Sequence, residues 1–106
     1  MPTVIYIDTN GERHEEEVEV GFTLMDGAFN RELPGMLAEC GGAAACGTCH
    51  CYIDEEWLNR IPPIEDLEDS MLYMVNDRRS NSRLTCQINV TEELDGIKLE
   101  IADNEF

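Results

Sequence analysis

Residues 40–51 read CGGAAACGTCHC, and Cys86 follows the third cysteine of that run after 36 intervening residues. Cys40, Cys46 and Cys49 thus form a C-x5-C-x2-C cluster, and a fourth thiol returns from far along the chain. Four thiolates are the ligand set of an iron–sulfur centre. Structural zinc accepts the same donors but usually takes them from paired C-x2-C knuckles. One knuckle preceded by a five-residue gap favours a two-iron cluster, and with it one-electron transfer. The intervening residues are Gly41, Gly42, Ala43, Ala44, Ala45, Gly47 and Thr48. Small residues let a backbone turn sharply and bring its N–H groups close to sulfur. Two further residues in the run have blander readings. Cys51 is read as a buried free thiol on a strand, and His50 as a structural histidine that braces the loop.

Working outward, the 106 residues suit one domain, residues 1–106, with a small core. Seven basic residues stand against 23 acidic ones, a formal charge of −16. Such a field repels nucleic acid and anionic membrane and attracts a basic protein surface. No apolar run approaches the roughly 20 residues of a membrane span. The first residues enter strand-like sequence directly, without a signal-peptide or transit-peptide pattern. A monomer in a bacterial cytoplasm is the expected setting, and a processed organellar form also fits. Five cysteines without a secretion signal point to metal or redox chemistry rather than a disulfide framework.

Local patterns predict a mixed α+β domain. Val4 to Ile7 and Arg13 to Val20 flank a turn at Asn10-Gly11 and read as a β-hairpin. Thr23, with Asp26 three residues on, predicts a capped helix whose inward face carries Leu24, Met25, Ala28 and Phe29. Pro34-Gly35 ends it. A strand is expected from Cys49 to Ile53, followed by a short segment around Trp57-Leu58. After Pro62-Pro63 a second helix is predicted, with Ile64, Leu67, Met71, Met74 and Val75 inward. Glu65, Asp66, Glu68 and Asp69 then fall on its outer face. Further strands are expected over Cys86 to Val90 and Ile97 to Ile101, separated by a turn at Asp95-Gly96. Tyr6, Trp57 and Tyr73 are assigned to the core or its rim. No Ser/His/Asp arrangement, phosphate loop or H-E-x-x-H motif appears, so no catalysis by the chain itself is expected.

Three stretches carry a resemblance to a known family: Cys40-Gly41-Gly42, Cys46-Gly47-Thr48-Cys49-His50, and Ser82-Arg83-Leu84-Thr85-Cys86-Gln87-Ile88. With Met71-Leu72 and Glu93-Leu94-Asp95-Gly96 they cover nearly the whole chain, which resembles the adrenodoxin- and putidaredoxin-type 2Fe-2S ferredoxins. Plant-type ferredoxins have four residues, not five, between the first two cysteines. The resemblance implies a β-grasp fold and one 2Fe-2S cluster, with Cys40 and Cys46 on the outer iron and Cys49 and Cys86 on the inner one. It implies a carrier that takes single electrons from an FAD-containing, NAD(P)H-dependent ferredoxin reductase. The acceptor it implies is a cytochrome P-450 monooxygenase or, alternatively, the iron–sulfur cluster assembly machinery. Cys-Gly-Gly-Ala after the first ligand looks closer to the monooxygenase partners, whereas Cys51 is more similar to assembly-type members. The same resemblance makes Glu65, Asp66, Glu68 and Asp69 docking candidates. It adds Glu39, where putidaredoxin-type members carry an aspartate, and the aromatic Phe106.

Overall fold

The computed structural model describes residues 1–36 and 49–104. Cys40, Cys46, Glu39 and Phe106 lie outside them. Five strands form one mixed sheet in the order β2-β1-β5-β3-β4. They are β1 (Thr3–Ile7), β2 (Arg13–Glu17), β3 (His50–Ile53), β4 (Ser82–Leu84) and β5 (Lys98–Ile101). β1 and β2 pair antiparallel around the expected turn, where Gly11 has φ +83°. β1 then runs parallel to β5, and β3 lies antiparallel to both β5 and β4. The alternation in β1 buries Val4 and Tyr6, as period-two patterning requires of a strand with one packed face.

α1 (Leu24–Phe29) crosses that face. Its start is the predicted one: Thr23 Oγ1 accepts from Asp26 N at 3.1 Å, and Asp26 Oδ2 accepts from Thr23 N at 2.9 Å. Leu24, Met25 and Ala28 are buried, but Phe29 is exposed. Phe29 is the last residue of this six-residue helix. Gly27 is the contact point with β1, because a Cβ there would meet Tyr6 Oη and Val18 Cγ2. Tyr6 Oη in turn donates to the Leu24 carbonyl at 2.6 Å.

Three expectations are corrected. Residues 86–90 are not a strand: Thr85–Gln87 is a 3-10 turn, followed by an isolated bridge from Asn89 to Thr23. β4 falls just before it, on Ser82 to Leu84, whose polar first half hides a fully buried strand. The second helix, α2 (Asp66–Leu72), is rotated relative to the predicted face. Its buried residues are Glu68 and Leu72, with Met71 and Val75 half-buried, while Ile64, Leu67 and Met74 are exposed. Tyr73 is exposed too, under the guanidinium of Arg78, whereas Tyr6 is in the core and Trp57 at its rim, as expected.

Candidate metal centre and docking surface

Cys49 closes the turn into β3, and Cys86 sits in the 3-10 turn that follows β4. Antiparallel pairing of β3 with β4 brings these two positions together from 37 residues apart. Thr85 fastens them: its N–H and its hydroxyl both donate to the Cys49 carbonyl, at 3.2 and 2.8 Å. Both thiols are buried, 1% and 8% exposed, and they are in hydrogen-bonding contact with each other. That contact, with burial, holds the Cys49 thiol above the usual thiol range. Two such buried thiols can both ionise only where a cation balances them. The donor set fits an iron–sulfur centre, in which Cys49 and Cys86 would supply two of the sulfur ligands. Gln87 Nε2 donates to Cys86 Sγ at 3.3 Å, a bond of the kind that stabilises negative charge on a ligand sulfur.

His50 and Cys51 are not part of that donor set. Among the described residues, no further His, Cys, Asp or Glu joins Cys49 and Cys86 with ligand atoms within 4.8 Å of one another. His50 is fully buried and its Nε2 lies 2.7 Å from Ser82 Oγ, so it braces β3 against β4. Burial lowers its pKa to about 4, which keeps the ring neutral at physiological pH. Cys51 lies in the hydrophobic core, its thiol pushed well up by burial. Among the described residues, Asp8, Glu12 and His14 on the hairpin do bring three such atoms within 4.8 Å of one another. There Asp8 already accepts from the N–H groups of Asn10 and Glu12 and contacts His14 Nε2 at 2.7 Å, closing the turn.

The outer face of α2 is different from the predicted one. Glu65 and Asp66 are exposed. Asp69 is partly exposed and ion-paired with Arg78 at 2.7 Å. Glu68, expected among the docking residues, is only 2% exposed and is withdrawn from that set. Its carboxylate takes a two-pronged ion pair from Arg83, Nε to Oε2 at 2.7 Å and Nη2 to Oε1 at 3.0 Å. It also accepts the Leu84 N–H at 2.9 Å, and Arg83 Nη1 donates to the Pro62 carbonyl. Buried charge is tolerated where it is paired and hydrogen-bonded in this way. The place the helical phase gave to Glu68 is taken by Leu67, which is 59% exposed. The outer face is thus mixed: acidic Glu65 and Asp66 beside apolar Leu67, with Ile64 just before the helix. No helix among the described residues is long and apolar enough to cross a membrane.

Sequence reasoning did not single out Arg83 and Thr85 as supports of the site. Their signal was proximity: both lie within three positions of a candidate ligand, and an arginine in an otherwise buried strand needs an anion.

The 2Fe-2S iron–sulfur cluster binding domain family matches residues 7–91. Among curated proteins, the chain is 40% identical over 106 residues to Rhodocoxin of Rhodococcus erythropolis, covering 99% of each. It is 45% identical over 98 residues to Ferredoxin CarAc of a Sphingomonas species, covering 92% of this chain and 90% of that one. Putidaredoxin of Pseudomonas putida is 37% identical over 107 residues, with 100% of both covered. Of solved structures, a ferredoxin from Rhodopseudomonas palustris HaA2 superposes with a TM-score of 0.94 at 39% identity, covering 99% and 100%. Putidaredoxin within a covalent putidaredoxin reductase–putidaredoxin complex gives 0.84 at 38%, covering 93% and 96%. An ISC-like 2Fe-2S ferredoxin from Pseudomonas putida gives 0.80 at 28%, covering 97% and 94%. With its mixed sheet, its paired buried thiols and full-length likeness to these proteins, the chain belongs to the 2Fe-2S cluster-binding ferredoxins of the putidaredoxin type.

Proposed function

We propose that this protein is a one-electron carrier between an FAD-containing, NAD(P)H-dependent ferredoxin reductase and a cytochrome P-450 monooxygenase. The observation that carries the reading is the Cys49–Cys86 thiol pair, held together by Thr85 at the meeting of β3 and β4. Cys40 and Cys46 complete the ligand set, so the chain holds one 2Fe-2S cluster. When bound, that cluster supplies a single-electron couple. The chain's own work is to shield it, orient it and present it. Gln87 offers a hydrogen bond to one ligand sulfur, and the buried walls limit access of water. Glu65, Asp66 and Asp69 on α2, together with Glu39 and Phe106, form the docking set, with Leu67 supplying apolar contact at close range. Complementary charge raises encounter rates about 10–10³-fold without making a tight complex, as a shuttle that must leave each partner requires. The reductase assignment draws on the likeness to putidaredoxin in its reductase complex. The lower identity to an ISC-like ferredoxin makes cluster assembly the second choice of acceptor.

The test begins with absorption and low-temperature paramagnetic resonance of the purified protein before and after dithionite. A red-brown protein that bleaches and gives an S = 1/2 signal supports the cluster, and Cys49→Ser and Cys86→Ser should each remove it. A colourless protein with stoichiometric zinc would overturn the reading. Substrate turnover by a reconstituted reductase and P-450, set against cluster formation on an assembly scaffold, then separates the two acceptors.

A further inference from the structure

The feet of the segment 37–48 are fastened from an unexpected direction. Asn104, three residues beyond the end of β5, is 2% exposed. Its side-chain amide donates to the Gly35 carbonyl at 2.8 Å and to the His50 carbonyl at 3.3 Å. Gly35 lies just before the cysteine-bearing segment, and His50 just after Cys49. Both protons of one NH2 group are therefore used on the two chain ends that flank it. Neighbouring contacts point the same way. The Ala102 N–H donates to the His50 carbonyl at 3.2 Å. Gly35, at φ +94°, lies so close to Ile101 and Thr9 that a Cβ would collide with both.

The acceptor side of the same residue is not satisfied. Asn104 Oδ1 is buried without a hydrogen-bond partner among the described residues, as is His50 Nδ1. A buried acceptor left unmade costs free energy comparable to what an ordinary hydrogen bond contributes. An apolar side chain of equal size would escape that cost. Asn104 is thus poorly explained as a general stabiliser and well explained by where its two donors are aimed.

We propose that Asn104 is a positioning residue for the cluster-binding segment. Its amide holds the carbonyls of Gly35 and His50 at a fixed separation and so sets how firmly the cysteines between and beside them keep their cofactor. This rests on the functional reading above. The residue touches no ligand sulfur and acts through the backbone.

The test compares holoprotein with Asn104→Leu, which keeps the bulk and removes both donors. Visible absorbance follows cluster loss to an iron chelator, and far-ultraviolet circular dichroism follows unfolding in denaturant. Asn104→Leu should lose its cluster about tenfold faster, the size of effect that one to two lost hydrogen bonds give, with an unchanged unfolding midpoint. Asn76→Ala removes a neighbouring bond to the Asp103 carbonyl and should leave cluster loss within twofold. Unchanged cluster loss in Asn104→Leu overturns the proposal. So does faster loss matched by a lower midpoint, or an equal effect from Asn76→Ala, since either means simple fraying of the tail. Amide hydrogen exchange at Met36 and His50 provides a readout that needs no cofactor. If the protein proves to carry no cluster, faster exchange there in Asn104→Leu still supports the clamp while the electron-carrier reading fails, and unchanged exchange overturns the clamp itself.

Discussion

Glu68 and Asp69 are neighbours in the chain with opposite surroundings. One carboxylate is sealed against Arg83 and the Leu84 N–H, and the other reaches solvent and a surface arginine. Removing one member of a buried pair leaves the other as an uncompensated charge, which costs about 3–5 kcal/mol. Glu68→Ala should therefore lower the denaturation free energy by about that amount, while Asp69→Ala should change it by less than about 1 kcal/mol. The Asp8–His14 pair makes a prediction about acid. The hydrogen bond with His14 is the main cause holding the Asp8 carboxyl below its ordinary value. A depressed carboxyl contributes stability that is complete above its unfolded value, about 3.9, and is lost as pH falls through its lower folded value. Denaturation midpoints of wild type and Asp8→Asn should thus differ at pH 7 and begin to converge only once pH falls below about 4. Residue roles were legible where both partners lie in one short window, as with the Thr23–Asp26 cap. Glu68 was misread because its partner is 15 residues away and nothing local marks it as buried.

Helix α1 shows what an element demands of a single position. Glycine within a helix costs about 1 kcal/mol relative to alanine, yet Gly27 is where α1 meets Tyr6 and Val18. Gly27→Ala should destabilise the fold by about 1–3 kcal/mol despite alanine's better propensity. Adding Tyr6→Phe removes the nearest atom and should recover part of the loss, so the two substitutions together fall short of their sum. A double-mutant cycle on chemical denaturation measures that coupling. At this scale the first hairpin and α1 were legible, since alternation, a turn signal and a cap agree. The rotation of α2 was not. Ile64, Leu67 and Met74 supplied an apolar periodicity that serves the surface, while Glu68 and Leu72 face inward. The predicted strand over 86–90 was misplaced for a related reason: Thr85–Gln87 must turn to aim Cys86 at Cys49, and β4 was hidden by Ser82 and Arg83, polar residues whose partners are internal.

Across the whole molecule the dominant quantity is the formal charge of −16, carried on a body measuring 32 × 27 × 23 Å. At 10 mM salt the screening length is about 30 Å, so every charge feels the rest, and by 0.15 M it is about 8 Å. Salt should therefore act in opposite senses on two observables. Raising it from 10 mM to 0.3 M should increase the melting temperature by relieving self-repulsion, and should slow electron transfer from the proposed reductase partner by screening the encounter. A parallel thermal melt and stopped-flow series across salt concentrations checks both signs. Another property joins strands that lie far apart in the sequence. β1 lies at the start of the sequence, yet its parallel neighbour is β5, residues 98–101, and β3 reaches the sheet only through β5 and β4. During synthesis the first strand must wait, paired only with its own hairpin, until the last one has left the ribosome. The surroundings of Cys49 and Cys86 are consequently assembled late, and iron delivered to a half-made chain would meet thiols with no walls around them. The walls around Cys49 close only when β5 joins β3 in the sheet.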